Sequence, residues 1–254
     1  EEDDWDNELF AAPYDGIRHM LAHFPFQGTM GNHEGTGLLF SKYLPYPFPP
    51  GAGGADGNYW SFDYGKLHVT IIDQYVDYLP GSDQYTWLVS DLSSTPAKWK
   101  ALIIHEPGYA SGHHPNNTDV QDYLQPLCEL YGVQLVFAGH NHYYSRATVN
   151  GVVHVTTAGG GAPLYDPEEG YPFVDTAFKA YHFCKVNTTG NELRMFAISR
   201  DGDTLDEFSI IQPSVPYTLP FVEDWESENG VQKTNGSIYV ETNYSWAFHT
   251  DRIN

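Results

Sequence analysis

The sequence predicts a layered α/β domain followed by the start of an all-β domain, and three observations carry that prediction. Continuous apolar runs alternate with amphipathic stretches as far as about residue 142. From Tyr143 onward, short β-branched and aromatic runs follow one another. Beyond a proline-rich stretch at 213–220, an alternating apolar pattern begins. The expected boundaries are an α/β domain over 1–212, a linker over 213–220 and part of an all-β domain over 221–254.

Taken in order, Leu9 to Leu21 place Phe10, Ile17, Met20 and Leu21 at helical spacing, with Pro13 near the start and an end expected near His23. Phe24 to Met30 is a short apolar run that closes on Gly31, which predicts a buried strand. Residues 41–57, rich in Pro and Gly, predict a surface loop. Tyr59–Tyr64 and Leu67–Asp73 flank Gly65-Lys66 and predict a hairpin. Ser82 is the expected cap of a helix that carries Trp87, Leu88 and Leu92 and stops over Ser93–Pro96. Trp99–Ile104 is a further buried strand, ending at His105. Thr118 with Gln121 resembles a capping box that opens a helix running to Gly132, with a kink expected at Pro126. Val133–Ala138 is again a continuous apolar strand, and it ends at Gly139-His140-Asn141-His142. Strands are then expected at 143–149, 152–157, 181–187, 192–198 and 205–211. After the linker, Ile238, Val240, Tyr244, Trp246 and Phe248 alternate as one face of a strand.

Composition narrows the function classes. Of 254 residues, 33 are Asp or Glu and 12 are Lys or Arg, giving a formal charge of −21. A field of that sign repels polyanions and argues against non-specific nucleic-acid binding. An anionic substrate therefore needs local positive charge, which bound metal ions supply. The same acidity also serves solubility alone. No apolar run approaches the roughly 20 residues that span a bilayer. Cys128 and Cys184 are too few for a disulfide framework or a cysteine-built zinc site, so a metal here must use His, Asn and carboxylate ligands. There is no G-x-S-x-G elbow, and Gly159-Gly160-Gly161-Ala162-Pro163 lacks the surroundings of a nucleotide fingerprint. Close backbone packing is its expected role.

Three predicted strands end in metal-compatible residues: Gly31-Asn32-His33-Glu34, Ile104-His105 and Gly139-His140-Asn141-His142. Alone, each has an ordinary reading, as a Gly-Asn turn, a satisfied interior histidine or a solvated histidine pair. Together they point to a site, because side chains at the carboxyl ends of strands in an open α/β sheet converge from distant parts of the chain. Imidazole and amide oxygen suit Zn, Fe or Mn, and a neutral Asn leaves the ion electrophilic.

In their order, these three motifs resemble the last three of the metallophosphoesterases, the calcineurin-like superfamily: G-N-H-[DE], a strand-terminal His and G-H-x-H. The stretch Gly139–Arg146, GHNHYYSR, is similar to the G-H-x-H-x-Y-E-R of purple acid phosphatases, with Ser145 where that branch has Glu. The resemblance implies a β-sandwich flanked by helices. It makes Asn32, His105 and His140 ligands of one metal and His142 a ligand of a second, the pair being divalent or mixed-valence Fe, Zn or Mn. His33 would stay off the metal and hydrogen-bond the phosphate or protonate the leaving-group oxygen. Glu34 would either orient His33 or stand as a solvated acid. In the Gly- and Asn-rich loop after Tyr109, either His113 or His114 would contact the phosphate, unless the pair is simply exposed. The implied reaction is hydrolysis of small phosphate esters, monoesters favoured, by attack of a metal-bound hydroxide. Diesters and nucleotides are alternatives.

The family's first two motifs, D-x-H and G-D-x-x-[YH], find no match here, and Gly31 lies too near residue 1 to leave room for them. The chain opens at Glu1-Glu2-Asp3-Asp4 with no initiator Met or signal sequence. It is therefore expected to be an excerpt, weakly active or inactive by itself because the bridging anionic ligand is lacking. The family branch, the acidity and the trailing β segment imply secretion. The rival expectation is an extracellular binding or adhesion protein whose phosphoesterase fold has lost catalysis. Oligomeric state is not readable.

Overall fold

The computed structural model describes residues 15–212 together with the pairs 239–240 and 246–247. Its first element is helix α1, Asp15–His23. The part of the expected helix before residue 15 lies outside the described residues. Met20, read as part of its apolar face, is 45% exposed.

The predicted strand at Phe24–Met30 is not one. Met30 alone of that run is buried, and Phe24 and Phe26 face outward. The cause lies in the backbone bonding. Gly28 N–H donates to the Tyr46 hydroxyl at 2.9 Å, and that hydroxyl donates to Phe26 O at 2.9 Å, so a side chain stands where a ladder partner would be. Tyr46 and Phe48 come from the expected loop at 41–57. Helix α2, Leu38–Tyr43, takes up the first three residues of that stretch, and the rest is partly buried, its rings packing on Trp60.

The predicted hairpin is present as β1, Trp60–Tyr64, antiparallel to β2, Leu67–Ile71. Helix α3, Asp83–Ser94, is capped by Ser82, whose hydroxyl accepts from Tyr85 N–H at 3.1 Å. β3 spans Trp99–Ile103. The next helix starts differently from its capping-box reading: Asn117 Oδ1 receives the N–H groups of Asp119 and Val120, while Gln121 reaches back to Gly108 O at 2.6 Å. A wide π-turn over Val120–Leu124 leads into helix α4, Gln125–Tyr131. Pro126, which has no N–H to give the preceding turn, thus follows a widened turn.

β4 is Leu135–Ala138, β5 Tyr144–Val149, β6 Val152–Thr157 and β7 Val174–Phe178, the last of these unpredicted. Together they complete a seven-stranded sheet in the order β1-β2-β3-β4-β6-β5-β7, parallel from β2 through β6 and antiparallel at both ends. β8, His182–Thr188, β9, Glu192–Ser199, and β10, Thr204–Ile211, form an antiparallel second sheet. A short ladder, Tyr239–Val240 with Trp246–Ala247, follows. The linker and the remaining residues of the expected β domain lie outside the described residues.

The side-chain period of two sorts each central strand between two cores. Trp99, Ala101, Leu135, Val153 and Val155 face the second sheet, against Leu193, Met195 and Ala197 of β9. Leu102, Ile104, Val136 and Ala138 face the helices, against Leu88, Leu92, Leu124 and Leu127. Each fully buried aliphatic contributes roughly 1.5–3 kcal/mol, so a one-residue slip would exchange the two sets at prohibitive cost. The result is a sandwich of two sheets with helices on the outer face of the larger one. Lys100 joins the ends of both helices, its ammonium donating to Leu92 O and Tyr131 O at 2.8 and 2.9 Å. Arg146 joins the sheets, binding Asp206 of β10 at 2.7 Å and Asp175 of β7 at 2.8 Å.

Candidate active site

The parallel strands deliver their carboxyl ends to one edge. Pairing continues past β3 and β4: Ile104 N–H donates to Phe137 O at 2.9 Å and Gly139 N–H to His105 O at 2.9 Å. That register sets His140 beside His105, with ring centroids 5.1 Å apart. The loop after Met30 brings in the third donor. Asn32 Oδ1 lies 2.9 Å from His105 Nε2, although 73 residues separate them.

The loop can approach this closely because residue 31 has no side chain: a Cβ there would lie 2.8 Å from both His105 Cε1 and Glu34 Oε2. Glu34 closes the same turn by accepting Gly31 N–H at 2.7 Å. Its carboxylate therefore shapes the backbone that presents Asn32. His33 is exposed.

His140 adopts φ 63°, a left-handed conformation uncommon for a residue with a side chain. His113 does the same at φ 73°. Strain of this kind concentrates at functional sites. His114 lies against His140, with centroids 4.2 Å apart and the rings tilted by 30°, so this loop histidine reaches the strand-end group.

Their position is held from below by a residue that sequence reasoning passed over. Asn141, fully buried between the two histidines of G-H-x-H, accepts His114 N–H at 2.9 Å. Tyr143 donates to Gly112 O at 2.7 Å. Tyr165 was also missed: it stacks on His113 at 3.5 Å and on His142 at 4.3 Å. His142 is fixed by its Nδ1, 2.9 Å from Pro163 O, the end of the glycine-rich loop. That bond makes Nδ1 the protonated nitrogen and leaves Nε2 with its lone pair, as histidines that bind metals require.

Ser145, the departure from the purple acid phosphatase pattern, is buried, and its hydroxyl has no hydrogen-bond partner among the described residues.

The electrostatics favour neutral imidazoles. Burial, reinforced by the neighbouring His140, pushes His105 down to about 4. Burial and then His114 lower His140, and burial and then His113 lower His114. Lone pairs are therefore available at neutral pH, and with the Asn32 oxygen this donor chemistry fits a borderline metal ion. The set is incomplete in charge. Among the described residues, no group of three or more His, Cys, Asp or Glu side chains is arranged to hold an ion. The nearby Glu106 is engaged by the Tyr75 hydroxyl at 3.0 Å and Asn117 Nδ2 at 2.9 Å.

With this geometry established, comparison with known proteins places the chain. The family profile described as calcineurin-like phosphoesterase matches residues 3–144, more than half of the sequence. The chain belongs to the calcineurin-like phosphoesterase family. It is similar to purple acid phosphatase 18 of Arabidopsis thaliana, 33% identical over 157 residues, which are 54% of this chain and 36% of that protein. It is also similar to a phosphoenolpyruvate phosphatase of Allium cepa, 27% identical over 165 residues, 59% of this chain and 34% of that protein. The chain thus spans about a third of the length of the curated relatives it matches. Among solved structures, the purple acid phosphatase PPD1 of yellow lupin seeds shares the fold, with TM-score 0.67, 22% identity and coverage of 83% of this chain and 44% of that one. GAP50, the anchor in the inner membrane complex of Plasmodium, shares it at TM-score 0.53, 17% identity and coverage of 62% and 54%. No helix among the described residues of this calcineurin-like phosphoesterase is long and apolar enough to cross a membrane.

Proposed function

We propose that the chain takes part in metal-dependent hydrolysis of phosphate esters, monoesters favoured, as the portion of the enzyme over residues 1–212 that presents Asn32, His105 and His140 to one metal ion and His142 to a second. What supports this most is the meeting of Asn32 and His105 at 2.9 Å with His140 against the same imidazole, three neutral donors from three separate parts of the chain. A metal pair bound there supplies Lewis-acid stabilisation of the phosphate and activation of water.

The remaining chemistry belongs to the protein. His33, exposed on the loop that carries Asn32, hydrogen-bonds the phosphate or gives a proton to the departing oxygen. His113 and His114 contact phosphate oxygens, with Asn141 and Tyr165 holding their loop in place. The anionic ligand that neutralises the ions comes from a carboxylate outside the described residues. The protein works outside the cytoplasm.

The fold is shared with a protein described as an anchor, and no described carboxylate completes the metal set, so a binding protein without catalysis is the second reading. One experiment separates the two. Aryl phosphate hydrolysis and metal content are measured for protein expressed from the complete reading frame, wild type and His33→Asn, with Fe, Zn and Mn supplied. The phosphatase reading expects full metal content in both, with kcat lowered roughly a hundred-fold or more in the variant, the scale of a lost general acid. A wild type that binds metal without hydrolysing any phosphate ester sinks it and leaves the binding reading.

A further inference from the structure

A cleft of about 470 Å³ opens between the glycine stretch after β6 and the end of the second sheet. One wall is glycine by necessity: a Cβ on Gly159 would lie 2.2 Å from His182 Nδ1 and 2.5 Å from Ala180 O, so only a bare backbone seats there. A Cβ on Gly160 or Gly161 would meet nothing within 4 Å, which leaves that part of the backbone open to a ligand. His182 is a satisfied wall residue, with Nδ1 2.9 Å from Ala180 O and Nε2 3.1 Å from Thr157 Oγ1.

The opposite wall carries two rings and one charge. Phe183 is 55% exposed, an apolar surface left uncovered at the mouth. Arg200 N–H donates to Tyr181 O at 2.8 Å, and its guanidinium stands 5.8 Å over the Tyr181 ring. The side chain is 73% exposed, and its ion pair with the exposed Asp201, at 3.9 Å, is too long and too solvated to occupy its donors. No carboxylate lines this cleft, whereas two other clefts of the molecule are each lined by three, around Glu168 and around Asp77. In a chain of charge −21, an acid-free cleft with an available arginine selects for anions.

We propose that this cleft binds a small aromatic anion, its ring against Tyr181 and Phe183 and its carboxylate or phosphonate on the Arg200 guanidinium. Arginine presents a planar fork of donors that matches either oxyanion, and exposed rings favour a flat apolar partner. The site is separate from the metal-ligand group and does not rest on the phosphatase reading.

Isothermal titration of the protein with phenylphosphonate and with benzoate tests it, with inorganic phosphate and benzyl alcohol as the ringless and uncharged controls. Both aryl anions bind and both controls bind far more weakly. Arg200→Gln, an exposed change that leaves the core untouched, weakens the aryl anions roughly ten-fold or more, the usual scale for a lost charge-assisted contact. Gly160→Leu, which projects a side chain into the open space, abolishes binding. Wild-type affinity in both variants overturns the proposal, as does failure of both aryl anions to bind. Binding that disappears in His140→Ala also overturns it, since that result would place the ligand at the metal-ligand group.

Discussion

Gln74 holds the backbone of His105 directly. Its Oε1 accepts the N–H groups of His105 and Glu106 at 2.7 and 2.6 Å, and its Nε2 donates to Glu106 O at 3.2 Å. The residue stands just past β2 and thereby ties the end of one strand to the end of the next. Replacing it with Ala leaves two N–H groups short of an acceptor, at a cost of about 1–3 kcal/mol. Urea unfolding is expected to show that loss, together with weaker Zn binding. Gln74→Glu keeps the acceptor but loses the donor to Glu106 O, and so recovers only part of the stability. Equal Zn affinity in all three proteins would show that His105 is positioned without Gln74.

Gly31 is predicted to tolerate no side chain. In Gly31→Ala the new methyl would sit 2.8 Å from His105 Cε1 and Glu34 Oε2, so the loop must move and Asn32 must leave His105. The two cores on either face of the large sheet contain no residue of this loop, so the melting temperature should change less than Zn affinity, which falls. A variant with wild-type Zn affinity would sink the claim that the two side chains share a ligand site.

The stability of the fold should fall on mild acidification because of His154. This imidazole is buried on β6, its Nε2 donating to Gln125 Oε1 at 2.7 Å, and burial pushes it down to about 4. Its folded value is thus below its unfolded one. Stability is complete above about 6.5 and is lost as pH falls from there towards 4, by roughly 3 kcal/mol in total. His68 works in the opposite sense: burial lowers it, but hydrogen bonds to Asp91 and Asp63 outweigh burial and raise it. Its contribution is present below the unfolded value and lost as pH rises through the folded one. Urea midpoints at pH 7 and pH 5 should therefore differ less in His154→Gln than in the wild type. An unchanged difference would contradict the assignment.

Much of the architecture was legible in the sequence because central parallel strands are buried on both faces. Leu135–Ala138 reads as an unbroken apolar run and Trp99–Ile103 as one interrupted only by Lys100, and both are strands. The same rule misread Phe24–Met30, whose apolar residues have no sheet to enter and whose backbone is bonded by Tyr46 instead. β7 escaped notice for the converse reason. As the outermost strand of its sheet it exposes Asp175 and Phe178, so Val174–Phe178 shows no run and no clean alternation.

At the site, the residues proposed as ligands were suggested by their places at predicted strand ends and by the family resemblance of their motifs. Those that act through backbone contacts were not. Gln74, Asn141 and Tyr165 lie 31, 27 and 23–52 positions from the groups they hold or touch. Nothing in their local sequence distinguishes them from ordinary loop or turn residues. Asn141 came nearest to detection, because it stands between His140 and His142.

His140, brought beside His105 by strand register, is proposed to belong to a metal-dependent phosphoesterase centre. The most direct measurement is metal content per chain, taken together with aryl phosphate hydrolysis, for wild type and His140→Ala expressed from the complete reading frame. The account predicts bound metal and hydrolysis in the wild type and the loss of both in the variant, with the fold retained by circular dichroism. Metal content and activity that survive unchanged in His140→Ala would contradict it.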